Sequence, residues 1–174
     1  MRYLIPATCA AVLFGFLFRG LYLDPSNIPS PLIGKPVPAF ELPQLDESAE
    51  IFSSEDLAGQ MTLVNVFGSW CPPCWQEHPY LVALSRAQPI PIYGLNFMDE
   101  RENALEMIRR LGDPYEKIGF DPDGSVGIDW GATGAPETFL VDSDGTILHK
   151  HSYPMTPDVW QSEFLPLIEK AEAR

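Results

Sequence analysis

Residues 61–78 read MTLVNVFGSWCPPCWQEH. Met61–Phe67 is a mostly apolar run of strand length between Gly59 and Gly68, the pattern of a central strand buried on both faces. Trp75–Ala87 then reads as a helix with Tyr80, Leu81 and Leu84 on its apolar stripe. Cys71 and Cys74 lie between the two, directly after a strand and directly before a helix. At a helix N-terminus the dipole and the unpaired N–H groups favour a thiolate on Cys71. Cys74, one turn in, is close enough to close a disulfide. This placement divides the labour: an exposed Cys71 attacks a substrate disulfide, and a less exposed Cys74 resolves the mixed intermediate. Pro72 and Pro73 suit a first turn whose N–H groups have no helical partner, and they remove two donors that would otherwise face the Cys71 sulfur. The thiolate is therefore expected to be less stabilised than in strongly oxidising CxxC proteins, which favours the disulfide and makes the dithiol a reductant.

Outward from this stretch the pattern alternates. Pro89-Ile90-Pro91 stops the helix, and Ile90–Phe97 supplies a second buried strand. Arg101–Leu111 is amphipathic, with Ala104, Leu105, Ile108 and Leu111 inward and Gly112 as its cap. Thr138–Val141 and Thr146–Lys150 flank Asp142-Ser-Asp-Gly145 as a hairpin. Pro157–Ala171 closes the chain as a helix with Trp160, Phe164, Leu167 and Ile168 inward, and Pro166 within it implies a kink. Ala39–Leu42 reads as a short strand and Ser53–Leu57 as a helical turn. The order β-α-β-α, then hairpin and helix, predicts an α/β fold: a mixed sheet with helices on both faces.

At the N-terminus, Tyr3–Phe18 carries no charge, Arg19 interrupts, and Leu21, Tyr22 and Leu23 are apolar again. A spanning helix needs roughly 20 apolar residues, and Arg19 can snorkel toward the interface. Residues 1–23 are read as an uncleaved transmembrane anchor, because Leu21–Asp24 offers no small-residue exit for a signal peptidase. With Arg2 held inside, the domain faces outward. Residues 24–38, with five prolines, read as an extended tether, and residues 39–174 as the folded domain. Cys9, inside the apolar run, is read as a membrane-buried thiol without function.

Composition narrows the function. The 174 residues suffice for one domain with a core. A net charge of -13 argues against a nucleic-acid partner, and three cysteines are too few for a disulfide scaffold. No metal site is expected. His78 is four residues past Cys74, but no second CxxC supplies further zinc ligands, and His149 and His151 stand at i and i+2 on a strand. Neither DPDG at 121–124 nor DSDG at 142–145 reaches the Glu that closes a calcium loop. Asp121, Asp123 and Asp129 read as an acidic rim or a solvated surface.

Val64–His78 resembles the active site of thioredoxin-like thiol–disulfide proteins, and Gly134-Ala-Pro-Glu-Thr-Phe139 is a second signature. Together with Leu32–Phe40, Tyr93-Gly-Leu-Asn96 and Gly112-Asp-Pro-Tyr115, they resemble the DsbE/CcmG family of cytochrome c biogenesis. The resemblance implies a thioredoxin fold on a membrane anchor, single-pass in a bacterial inner membrane with the domain in the periplasm. It implies a reductant that keeps the CxxCH cysteines of apocytochrome c reduced for haem attachment, directly or through a partner thiol protein. Electrons would come from a transmembrane donor of DsbD or CcdA type, and no cofactor is implied beyond the redox-active Cys71–Cys74 disulfide. Pro136 matches the family's cis-proline, which leaves the Ala135 backbone free to pair with a substrate strand. Trp70 would cover the cysteine pair and touch the substrate, while Trp75 departs from the small or basic residue usual at its position. Thioredoxin buries an aspartate where this chain has the neutral Asn65, so proton transfer falls to Glu137 or Glu77. Competing readings are a general periplasmic reductase with other clients, a copper or zinc chaperone using Cys71, Cys74 and a histidine, and a peroxide-reducing enzyme of the same fold.

Overall fold

β3 (Thr62–Phe67) is buried at every residue, and the sheet is assembled around it. The computed structural model describes residues 4–20, 30–46, 48, 50–87 and 90–172. On one side of β3 lies β4 (Ile92–Phe97), parallel, with Leu63 opposite Ile92 and Phe67 opposite Asn96. β5 (Ile118–Asp121) follows, parallel to β4. On the other side β6 (Glu137–Val141) is antiparallel to β3, and β7 (Ile147–Ser152) is antiparallel to β6. The order β5-β4-β3-β6-β7 makes a mixed sheet. β1 (Glu41–Pro43) and β2 (Ile51–Ser53) form a separate antiparallel pair. β2 and β5, of three and four residues, are too short to show a two-residue period and were not anticipated.

Alternation along the strands sorts the core into two layers. Leu63, Phe67, Ile92 and Leu140 face α2 (Pro72–Ala87), α3 (Arg101–Leu111) and the C-terminal helical segment. Val64, Val66, Tyr93 and Phe139 face a layer built from Phe40, Phe52, Leu57 and Trp130. Among the described residues, the helical elements of that second layer are a 3-10 turn (Ser54–Leu57) and the short α4 (Ser125–Asp129), beside the β1–β2 pair. Aromatic edges fill it instead: Phe40 meets Phe52 at 5.0 Å, and Trp130 meets Phe139 at 5.2 Å.

The C-terminal segment runs as α5 (Pro157–Val159), a π-helical turn (Trp160–Phe164) and α6 (Leu165–Glu172). The expected kink takes this form. The Leu165 N–H reaches back to the Trp160 carbonyl, and the added residue precedes Pro166, which lacks an N–H and would crowd a regular α-helical turn. Trp160, Phe164 and Ile168 are buried as expected; Leu167 is half-buried.

α1 (Leu4–Gly20) has 17 residues, about 25 Å at 1.5 Å per residue. Among the described residues no helix is long and apolar enough to cross a membrane. The remainder of the expected span, residues 1–3 and 21–23, lies outside the described residues, as do residues 24–29 of the expected tether. Residues 30–38 correct the tether boundary. The Gly34 N–H donates to the Ile147 carbonyl at 2.8 Å, the Val37 N–H to Gly145 at 2.9 Å, and the Ile147 N–H to Lys35 at 2.9 Å. The β6–β7 hairpin offers unpaired edge groups, and a proline-rich segment can satisfy them because proline is tolerated at an edge. The folded domain therefore starts at about residue 30 rather than 39.

Candidate active site

The β3–α2 junction places Cys71 and Cys74 as a disulfide, with Cα atoms 5.3 Å apart. The Cys74 N–H points at the Cys71 sulfur from 3.2 Å. Across from it the Ala135 carbonyl oxygen lies 3.3 Å from the same sulfur, a contact that becomes an S–H···O hydrogen bond once the pair is reduced. The Ala135–Pro136 peptide is cis. Both cysteines are 1% exposed, which corrects the expectation of a bare Cys71 in front of a hidden Cys74. The cause is the Ala135–Pro136 segment, which folds against the Cys71 sulfur where sequence reasoning saw open solvent at a helix end.

Beneath the pair runs a buried polar network. Glu77, one turn past Cys74, is 2% exposed. One of its oxygens accepts from Asn65 Nδ2 at 2.9 Å, the other from the Met155 N–H at 2.6 Å. Asn65 also donates to Thr138 Oγ1 at 3.1 Å and accepts from the Tyr115 hydroxyl at 2.8 Å. Burial pushes the Glu77 carboxyl up to about 7, against the lowering effect of its two hydrogen bonds. Burial, with the Glu77 charge beside it, likewise lifts the Tyr115 hydroxyl well above its ordinary range. His78 is buried and pairs its Nε2 with the Gly112 carbonyl at 2.8 Å. Tyr115, Thr138 and Met155 were not singled out from sequence. Tyr115 and Thr138 fall within the GDPY and GAPETF stretches that carry the resemblance but had no role there, and Met155 comes from the loop after β7.

Glu137 faces elsewhere. Its side chain lies on the opposite face of β6 from that of Thr138, and it is 2% exposed. One oxygen pairs with Lys150 Nζ at 2.9 Å. The other accepts from Thr133 N at 3.2 Å, Thr133 Oγ1 at 2.7 Å and Ser152 Oγ at 3.1 Å. Both carboxylate oxygens are thus engaged away from the Asn65–Glu77 network, and any proton transfer through Glu137 would have to compete with these partners. Its work is to tie β6, β7 and the loop at Thr133 together.

Trp70 is 50% exposed, its indole N–H donating to the Phe97 carbonyl at 3.1 Å. The ring lies so close over Gly68 that a Cβ there would stand 2.4 Å from Trp70 Nε1, so any side chain at that position would have to displace the indole. Trp75 is half-buried and donates to the Ser69 carbonyl at 2.8 Å. Asp99 holds this corner: its carboxylate accepts from Ser69 N and Oγ, each at 2.6 Å, and from Asn96 Nδ2 at 2.9 Å. Beside Trp70 and Trp75 an open groove of about 460 Å³ continues past Met98, Asp99, Glu106 and Arg110. Asp121, expected on an acidic rim or a solvated surface, is instead buried at the end of β5 and accepts the Gly127 N–H at 2.8 Å.

Disulfide exchange is the chemistry this arrangement serves, and the fold and the site together define the class: thioredoxin-like thiol–disulfide oxidoreductases. A match to the Redoxin family covers residues 32–164. The DsbE thiol:disulfide interchange protein of Allochromatium vinosum is 46% identical over 169 residues, 97% of this chain and 93% of that protein. Its counterpart in Pseudomonas aeruginosa is 43% identical over 175 residues, covering 98% and 97%. The crystal structure of a putative DsbE from Chlorobium tepidum superposes with a TM-score of 0.65 at 24% identity, covering 80% of this chain and 96% of that one; this last likeness concerns the fold alone. The chain belongs to the DsbE family of thiol:disulfide interchange proteins.

Proposed function

We propose that the protein is a membrane-anchored periplasmic reductant of cytochrome c maturation, keeping the CxxCH cysteines of apocytochrome c, or a partner thiol protein, reduced for haem attachment. The observation that carries the reductant reading is the setting of the Cys71 sulfur, which would solvate a negative charge poorly. That sulfur receives the Cys74 N–H at 3.2 Å and faces the negative end of the Ala135 carbonyl at 3.3 Å. A thiolate held so weakly gives its electrons up readily, because the disulfide is favoured over the dithiol. In the exchange, the Cys71 thiolate attacks a substrate disulfide and releases one substrate thiol. The Cys74 thiolate then attacks the mixed disulfide, freeing the second substrate thiol and leaving Cys71–Cys74 oxidised. Glu77 is the carboxyl suited to take the Cys74 proton, and the Ala135–Pro136 segment with Trp70 is suited to receive the substrate chain. A transmembrane donor of DsbD or CcdA type would recharge the pair, since a periplasm is kept oxidising by its own relay.

The anchor reading is supported by α1, whose Leu13, Phe14, Phe16 and Leu17 are more than half exposed and would face lipid. Replacing Cys74 by Ser in living cells stalls the exchange at the mixed disulfide. Apocytochrome c or a maturation thiol protein is the expected captive. A set of unrelated oxidised proteins would instead mark a general reductase.

A further inference from the structure

We propose that His149, His151 and Glu163 form a binding site for a divalent transition-metal ion of the zinc or copper(II) class, separate from the cysteine pair and clasping the edge strand to the C-terminal helical segment. Residues at i and i+2 on a strand project from the same face, so β7 aims both imidazoles at the layer that carries the π-helical turn. There Glu163 meets them. His149 Nε2 lies 3.0 Å and His151 Nδ1 2.9 Å from the same carboxylate oxygen, Oε2. The three ligand atoms all fall within 4.8 Å of one another.

Around a tetrahedral zinc ion with bonds of 2.0–2.2 Å, neighbouring donors stand about 3.3 Å apart. Both nitrogen–oxygen separations are thus within a few tenths of an ångström of a coordination edge. The rings are also held: Phe164 meets His149 edge-to-face at 5.1 Å and His151 at 6.4 Å. Side-chain exposures of 24% for His149, 16% for His151 and 37% for Glu163 leave one side open for a water or other fourth ligand. Two imidazoles and a carboxylate suit zinc, copper(II) or nickel rather than calcium or magnesium, which prefer all-oxygen cages. A formal charge of -13 enriches cations around the chain.

Each imidazole would bind the ion through the nitrogen that faces Glu163, leaving its other nitrogen to carry the N–H. For His151 the outer Nε2 is buried with no hydrogen-bond partner among the described residues, so an N–H there is left unpaired and lowers the affinity. The sequence argument against a metal site weighed His149 and His151 by spacing alone. It had no means of placing Glu163 opposite them.

Titrating zinc chloride and copper(II) chloride into the full-length chain with its Cys71–Cys74 disulfide intact removes thiol ligands from the experiment. One equivalent per chain is expected in calorimetry. The affinity should fall by at least about tenfold in Glu163→Gln and further in His149→Ala, with folding checked by circular dichroism. Electron paramagnetic resonance of the copper-loaded parent needs no variant and should show coupling to two imidazole nitrogens. Absence of binding, undiminished binding in both folded variants, or a copper spectrum without imidazole coupling would overturn the site.

Discussion

Burial lifts the Glu77 carboxyl to about 7, against its hydrogen bonds from Met155 and Asn65. An unfolded glutamate ionises near 4.5, so between those values the native chain holds a proton that the unfolded chain has lost. Stability contributed by this group is full below pH 4.5 and falls as pH rises through 7, on the order of 3 kcal/mol when ionisation is complete. Glu77→Gln should remove that slope, so the difference in urea midpoint between parent and variant changes from pH 5 to pH 8. The variant should also slow disulfide exchange by about tenfold or more, as expected when a positioned acid–base group is lost. Glu137→Gln, by contrast, strips Lys150 of its buried counterion and should lower stability while leaving exchange close to that of the parent. Equal exchange rates in parent and Glu77→Gln would end the proton-transfer reading. Sequence reasoning could nominate both glutamates but could not separate them. Their difference is which face of which element each occupies relative to the sulfurs.

Elements differed in how plainly they could be read. β3, α2 and the β6–β7 hairpin carry long apolar runs, a proline-marked start or a Gly145 turn, all local signals. β2 and β5 lack them, since a strand of three or four residues gains its stability from neighbours rather than from its own pattern. The same holds for the corner formed by Asp99. A single aspartate after β4 carries no motif, yet it joins the β3–α2 and β4–α3 connections by accepting from Ser69 and Asn96. Asp99→Ala should leave the Asn96 amide buried and unpaired and the half-buried Ser69 donors without their acceptor, at a cost of about 1–3 kcal/mol. Denaturant unfolding reads that loss, and a shift in the fluorescence of half-exposed Trp70 reads the loosening of the corner. An unchanged emission would show that Trp70 is held by the Phe97 carbonyl alone.

For the whole molecule, the expected division into anchor and catalytic domain makes a direct prediction. A chain lacking residues 1–20 should partition into the aqueous fraction, while the full-length chain remains with membranes and resists salt extraction. Its Cys71–Cys74 exchange should persist, because the contacts that build the site lie between residues 65 and 155. A truncated chain still sedimenting with membranes would place the attachment in the domain itself.

Resemblance to a known family pointed to the thioredoxin-like class and to Pro136; the residue pattern by itself determined the α/β order and the cysteine pair at a strand-to-helix junction. These depend on short-range patterns: apolar runs, helix-start chemistry and motif spacing. Only the tertiary structure decided that both sulfurs are covered, that Glu77 rather than Glu137 lies beneath them, and that Glu163 closes on two histidines. Each of those depends on which side chains long-range strand pairing and helix packing bring into contact, and on how fully that contact excludes water.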